Sequence, residues 1–291
     1  MITGVLGILG LLTAWFGFEF AKDLSKNQVN MESETNFVTS SAIGFATNFF
    51  DTLGIGSFAP TTALLRGFKQ IQDKVLPGTL NVSCTIPVVA EAFIFITVIT
   101  VEPVTLIGML AAATLGAWLG AGFVSNLPEK KVQLGMAVAL LVTAFLMLAG
   151  MMGWMPGGGD AIGLTGMKLI IAIGGNFILG ALMTLGIGLY APCMALIYFL
   201  GMSPAVAFPI MMGSCAFLMP VASVKFVREG SYNRKASLAI AIFGLVGVFI
   251  AAYIVKSLPL DILRWLVIAV VTYTSITMFK SATKPAEAIA K

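Results

Sequence analysis

Apolar positions along this chain fall in long unbroken blocks, not in residue-by-residue alternation. An opening run, Ile2–Phe18, is followed by a polar stretch, Lys22–Asn36. Eight further blocks follow: Phe37–Arg66, Leu76–Ile99, Val104–Asn126, Val132–Gly153, Met167–Leu200, Pro204–Val227, Ala236–Val255 and Ile262–Phe279. Each has roughly 20 or more residues, enough for a helix to cross a ~30 Å hydrocarbon core. Barrel strands would alternate instead, so helices are predicted throughout. The longest connection, the glycine-rich Trp154–Gly166, divides the eight blocks into two sets of four.

Composition turns these helices into membrane spans. Hydrophobic residues make up 58% of the 291 and charged residues 10%, against about 25% charged in a soluble domain. The mean hydropathy is +0.99. Ile2–Phe18 lacks a basic n-region and a small-residue cleavage site, and is read as a retained helix. With no histidine, His-based catalysis and His metal sites are excluded. Cys84, Cys193 and Cys215 lie inside apolar blocks at spacings that suit neither a disulfide framework nor a zinc cluster. No metal and no cofactor is expected. The net charge of +4 is not a nucleic-acid signal in such a chain; its use lies in which loops carry it.

The two halves repeat. Thr52-Leu53-Gly54-Ile55-Gly56-Ser57-Phe58-Ala59-Pro60 matches Thr184-Leu185-Gly186-Ile187-Gly188-Leu189-Tyr190-Ala191-Pro192 at seven of nine positions. The same offset pairs Ala63 with Ala195 and Pro77 with Pro209; one residue out of register, Ser83-Cys84 pairs with Ser214-Cys215. Duplicated halves are a common construction of secondary transporters.

Charge placement selects a topology. If the first block of each half crossed fully, basic residues would split evenly across the bilayer. If each is a re-entrant hairpin with the nonapeptide at its tip, Lys22, Lys26, Arg66, Lys69, Lys74, Lys130, Lys131, Lys225, Arg228, Arg234, Lys235, Lys280, Lys284 and Lys291 share one side. Lys168, Lys256 and Arg264 alone fall on the other. The positive-inside rule prefers the second arrangement. Phe37–Phe50 as a helix spans ~21 Å, half-way into the core but not across it. The expected fold is an all-α polytopic membrane protein: an inverted repeat of re-entrant hairpin plus three spans, with one extra N-terminal helix. That makes seven full spans, N-terminus outside and C-terminus cytoplasmic, in the cell inner membrane. The segments are 1–36 (helix and polar linker), 37–153 (repeat 1), 154–166 (linker loop), 167–280 (repeat 2) and 281–291 (cytoplasmic tail).

Irregular backbone survives at membrane depth only when buried in protein or lining a cavity. Gly54, Gly56, Gly186 and Gly188 suit a tight turn and close approach of a ligand. Pro60 and Pro192 fall in the first turn of the helix after each tip, where proline is tolerated. Each tip would then present free N–H groups and a positive dipole end, and two facing ends form an anion site without a buried Lys or Arg. Thr52, Ser57 and Thr184 would add hydroxyl donors. The alternative is that the glycines serve only the turn.

A glycine-rich tip ending in proline, its recurrence in a second half, and the chain length resemble the sulfite exporter TauE/SafE family, the toluene sulfonate uptake permeases. The resemblance spans nearly everything beyond the first helix. It implies movement of sulfur-containing anions such as sulfite and organosulfonates, coupled to an ion gradient. This chain departs from the commoner run of glycines, with Ser57 and Leu189 after the second glycine of each tip.

Other polar residues lie in apolar blocks. Asp51, whose repeat partner is Met183, is either a proton-coupling acid or an Asx-type turn residue bonded to the Leu53 or Gly54 N–H. Glu91 is either a proton relay or a partnered structural acid. Asn81, Ser83 and Cys84 lie at similar depth to Gly213, Ser214 and Cys215 and are placed on the site, with core packing favoured for the two cysteines. Asn48 and Asn176 line the cavity or bond between helices. Gly108, Ala112, Gly116 and Gly120 form a small-residue stripe for close helix packing. Gly157-Gly158-Gly159-Asp160 formally matches the G-x-G-D of intramembrane aspartyl proteases, but no second acid is suitably placed. The sequence therefore reads as a secondary transporter of a small anion, with a coupling proton or cation, and not as an enzyme. An anion channel, and behind it an intramembrane enzyme, are the alternatives.

Overall fold

The computed structural model describes residues 2–28, 31–97, 99–155, 158–186, 188–253 and 260–283. Pro156, Gly157, Ile187, Lys256, Lys284 and Lys291, and the side chain of Arg264, lie outside the described residues. Eleven helices make up the described fold: α1 (Ile2–Lys26), α2 (Phe37–Thr52), α3 (Phe58–Gly67), α4 (Leu76–Ile96), α5 (Pro103–Val124), α6 (Glu129–Met151), α7 (Gly166–Met183), α8 (Tyr190–Phe199), α9 (Pro204–Arg228), α10 (Arg234–Tyr253) and α11 (Leu260–Thr283). Among the described residues, seven helices are long and apolar enough to cross a membrane: α1, α4, α5, α6, α7, α9 and α10. With 24 residues, α11 also has the length.

Where the sequence shows single blocks, Phe37–Arg66 and Met167–Leu200, the chain breaks into the pairs α2/α3 and α7/α8. Both ends of α2/α3 are tied together. Thr35 Oγ1 donates to Gln70 O, and the Asn36 N–H to Gln70 Oε1, each at 2.8 Å. Arg66, at the end of α3, pairs with Asp73 before α4 at 3.0 Å. Asn233, before α10, donates to Thr35 Oγ1 at 2.8 Å. The α7/α8 pair is tied among the other helix ends. Lys168 Nζ donates to Leu200 O at 3.1 Å, the Ser203 N–H to Ala161 O at 2.8 Å, and the Leu164 N–H to Thr105 Oγ1 at 2.9 Å. The first hairpin is anchored where α4 and α10 begin, the second where α5 and α9 begin.

Packing follows the same exchange. Helix α2 lies on α10 and α7 on α5; α4 packs on α10 and α9 on α5; α3 touches α11 and α8 touches α6. The pairs α4–α9 and α6–α11 pack on each other. Window burial of 72% for α4 and 83% for α9 puts these two at the centre, whereas α1, at 17%, lies outside against α9 and α4.

Small residues permit the hairpin contacts. A Cβ on Gly116 would meet Phe177 O at 2.0 Å, one on Gly180 would meet Ala113 O at 2.1 Å, and one on Gly120 would meet Ala181 O at 2.8 Å. On the other side, a Cβ on Gly44 would meet Ile240 Cα and one on Gly247 would meet Phe45 O, both at 2.5 Å. Backbones this close gain dispersion contacts that larger side chains would prevent. The glycine stripe on α5 is therefore a packing seam.

Two expectations need correction. The entering limbs are longer than expected, with 16 and 18 residues or ~24 and ~27 Å of helix, while the returning limbs α3 and α8 have ten residues each, ~15 Å. Helix α1 continues past Phe18 to Lys26 because its polar last turns find partners. Arg228 Nη2 donates to Glu19 Oε1 at 2.6 Å and Arg234 Nε to Asp23 Oδ2 at 2.7 Å. Tyr232 OH also donates to Asp23, and burial followed by this bond pushes its phenol above the ordinary range. The linker loop is joined to α5 by the Glu102 N–H, which donates to Ile162 O at 2.9 Å, while the Glu102 carboxyl caps α5, accepting the Val104 and Thr105 N–H groups at 3.0 and 2.7 Å. Those bonds hold it below the usual carboxylate range. Asp160 is exposed in this loop.

Candidate functional site

The two tips are built alike. At the first, α2 closes with Leu53 N–H bonded to Phe50 O and Gly54 N–H to Asp51 O, at 3.2 and 2.7 Å. Gly54 and Gly56 then take φ of 88° and 89°, a region that favours glycine. At the second, Gly186 N–H bonds to Met183 O at 2.9 Å with φ of 96°. Helices α3 and α8 start directly afterwards, with Pro60 and Pro192 as third residues. Neither has a side-chain cap: Ser57 and Leu189, at the N-cap positions, make no capping hydrogen bond. The first N–H groups of both helices are thus left for another acceptor.

Both helix starts border one small cavity, about 30 Å³ in volume. Asp51, Gly56 and Ser57 line it from the first tip, and Gly188, Leu189, Tyr190 and Ala191 from the second. Val88, Thr143, Met147, Met183 and Cys215 complete the wall. Among the described residues, no lysine or arginine lines it. Ile55, Met147, Tyr190 and Ala191 are shared with a larger vestibule of about 620 Å³, lined also by Gly54, Met151, Tyr198 and Trp265.

The tips differ in their acids. Ser57 Oγ donates to Asp51 Oδ2 at 2.7 Å. Asp51 is 1% exposed, and its other oxygen, Oδ1, has no hydrogen-bond partner among the described residues. The Asx-type turn is not formed: the Leu53 and Gly54 N–H groups bond to main-chain carbonyls, and the carboxyl bonds to Ser57. Behind the tips, Glu91 of α4 is fully buried. Its Oε1 lies 2.8 Å from Thr52 Oγ1, and Tyr190 OH donates to its Oε2 at 2.9 Å, so one carboxyl touches both hairpins.

Of the residues picked from sequence, Asp51, Gly56, Ser57 and Gly188 meet at the cavity, and Gly54 borders the vestibule. Thr52 is turned to Glu91. Thr184 Oγ1 bonds back to Ala181 O at 2.7 Å, and Gly186 faces Met136 and Leu80. Asn81 donates to Pro77 O and Ser83 to Leu80 O, both within α4. Ser214 accepts from Asn176, which also donates to Met109 O and so binds α7 to α5 and α9. Asn48 donates to Gly44 O inside α2. Cys215, read as packing, lies on the cavity wall and contacts Met183 Sδ at 3.6 Å. Tyr190 was missed as a site residue, though its hydroxyl is the one chemical difference from its repeat partner Phe58.

One protein family, described as sulfite exporter TauE/SafE, matches residues 1–147 and 168–290. The unmatched residues 148–167 include the linker loop between the halves. No curated protein matched the chain, and no solved structure did.

Proposed function

Because the chain belongs to the sulfite exporter TauE/SafE family, and so is a multi-pass membrane transporter with an anionic substrate, we propose that it carries a small sulfur-containing anion, sulfite or an organosulfonate, by alternating access. The anion binds in the cavity between the tips. The observation that carries this reading is the pair of uncapped helix starts bordering one cavity that, among the described residues, no lysine or arginine lines. Main-chain N–H groups and helix dipoles then supply the positive end, as they do at other helix N-termini that hold anions.

The two tips share this work unequally. Asp51 already stands at the start of α3, held by Ser57. The start of α8 has Met183 and Leu189 in the corresponding places and is the anion's main seat. Asp51 Oδ1, buried and without a partner, borders the same cavity. Protonated, it donates to the bound anion; ionised, it repels it. Anion and proton therefore bind together, which couples transport to a proton gradient.

The halves 37–153 and 167–280 act as inverted repeats that rock against each other around the tips. The exchanged packing of α2 on α10 and α7 on α5 supports this. In the topology read from the sequence, fourteen of the seventeen basic residues share the side of Arg66, which makes that side cytoplasmic and the N-terminus external in the inner membrane. Calorimetric titration of the purified protein with sulfite and with methanesulfonate tests the site. Binding of either, accompanied by proton uptake, is expected; heat from neither refutes it.

A further inference from the structure

Glu91 is the one acid of α4, and both its oxygens are held by hydroxyls from different hairpins. Its contacts contain a proton count. Thr52 Oγ1 lies 2.8 Å from Glu91 Oε1 and 3.0 Å from Asn48 O. A threonine hydroxyl has one hydrogen, and a main-chain carbonyl can only accept. Both contacts are full hydrogen bonds only if a second hydrogen is present, and Glu91 is the partner able to bring it. Thr52 then donates to Asn48 O, Glu91 donates to Thr52, and Tyr190 donates to Glu91.

Burial argues the same way. Glu91 is 0% exposed, and among the described residues no ion pair or hydrogen bond from a lysine or arginine reaches it. An ionised carboxylate at this depth, with two neutral hydroxyls for company, is costly. The titratable groups facing it are Asp51 on α2, Tyr190 on α8, Cys215 on α9 and Cys84 on its own helix. None is a cation.

We propose that Glu91 is a second proton-binding residue, a clasp that carries its proton while the two hairpins are engaged and gives it up to vestibule water as they part. The step moves one proton from the carboxyl oxygen to water and leaves a carboxylate; no other bond changes. Tyr190, which borders the vestibule as well as touching Glu91, is the route outward. The clasp adds a site to the transport reading and rests on it only for its effect on flux.

Infrared spectroscopy of the full chain in lipid tests it. At neutral pH the wild type is expected to show a protonated-carboxyl C=O band that disappears in Glu91→Gln; an unchanged spectrum overturns the proposal. Asp51→Asn, measured beside it, separates the Asp51 contribution. Thr52→Val removes the acceptor and should shift the Glu91 band to higher frequency; an unmoved band overturns the proton count. Glu91→Gln can make the same three hydrogen bonds, so it should fold and melt like the wild type, yet stay clasped. Its net anion flux should fall about tenfold, the effect of ~1.4 kcal/mol on a barrier, with anion binding retained. Wild-type-like flux overturns the clasp. If the wild type itself moves no anion, the transport reading fails, and the infrared result still decides Glu91.

Discussion

Asp51 and Ser57 bind each other across the first tip, Ser57 Oγ donating to Asp51 Oδ2 at 2.7 Å. The corresponding pair on the second tip is Met183 and Leu189, which cannot make that bond. The two tips share their glycines and their proline and differ at the acid. That difference gives the pH dependence a direction. Ionised Asp51 opposes an anion in the cavity, so wild-type transport should fall as pH rises through the Asp51 titration. Asp51→Asn keeps a donor at that position without the charge and should flatten the profile. Initial rates measured across pH check this; a profile unchanged by the substitution contradicts the coupling role.

Gly188 is the clean probe of the anion seat. A Cβ there would meet no atom within 4 Å, and its φ lies outside the left-handed region. Gly188→Val should therefore fold, with stability within about 0.5 kcal/mol of the wild type, while its side chain enters the cavity. Sulfite affinity should drop by about tenfold or more, ~1.4 kcal/mol. Gly56→Val is a poorer probe, because φ of 89° strains any side chain. Thermal melting and titration of Gly188→Val decide the matter; normal affinity removes the seat from the second tip.

Tyr190→Phe tests the contact between the hairpins. Phe58 at the equivalent place indicates that the ring alone is tolerated there. The loss is then the hydrogen bond to Glu91, and interhelical bonds in membrane proteins average ~0.6 kcal/mol with a maximum near ~1.7. Unfolding in mixed micelles should show a cost in that range. A stability equal to the wild type would mean that the 2.9 Å contact contributes nothing.

Sequence made the membrane class and the breaks inside the two long blocks legible, because each rests on local pattern: block length and a repeated glycine-rich nonapeptide. The helix breaks at 53–57 and 184–189 fall at the glycines that suggested them. Partners distant in the chain were not legible. Nothing near Glu19 or Asp23 announces Arg228 and Arg234, so α1 was read too short. Glu91 meets Thr52 and Tyr190 from 39 and 99 residues away. Repetition of Ser83 and Ser214 suggested a shared site, yet Ser83 bonds within its helix and Ser214 to Asn176; a repeated polar residue can serve repeated packing equally well.

Gly116 tests that packing. A Cβ would lie 2.0 Å from Phe177 O, a main-chain atom that cannot rotate away, so α5 and α7 would have to separate. Gly116→Val should cost about 1–3 kcal/mol, as overpacked cores do, and lower the melting temperature. Gly4, with open space around it, is the control: Gly4→Val should leave melting unchanged. Equal melting of the two variants would contradict the close contact of the second hairpin with α5.

The central claim, proton-coupled carriage of a small sulfur anion, is tested most directly by uptake of labelled sulfite into proteoliposomes under an imposed proton gradient. The account predicts accumulation above the external concentration, abolished when a protonophore collapses the gradient. No movement of sulfite or of any sulfonate under any gradient, or fast flux that ignores the gradient, would contradict it.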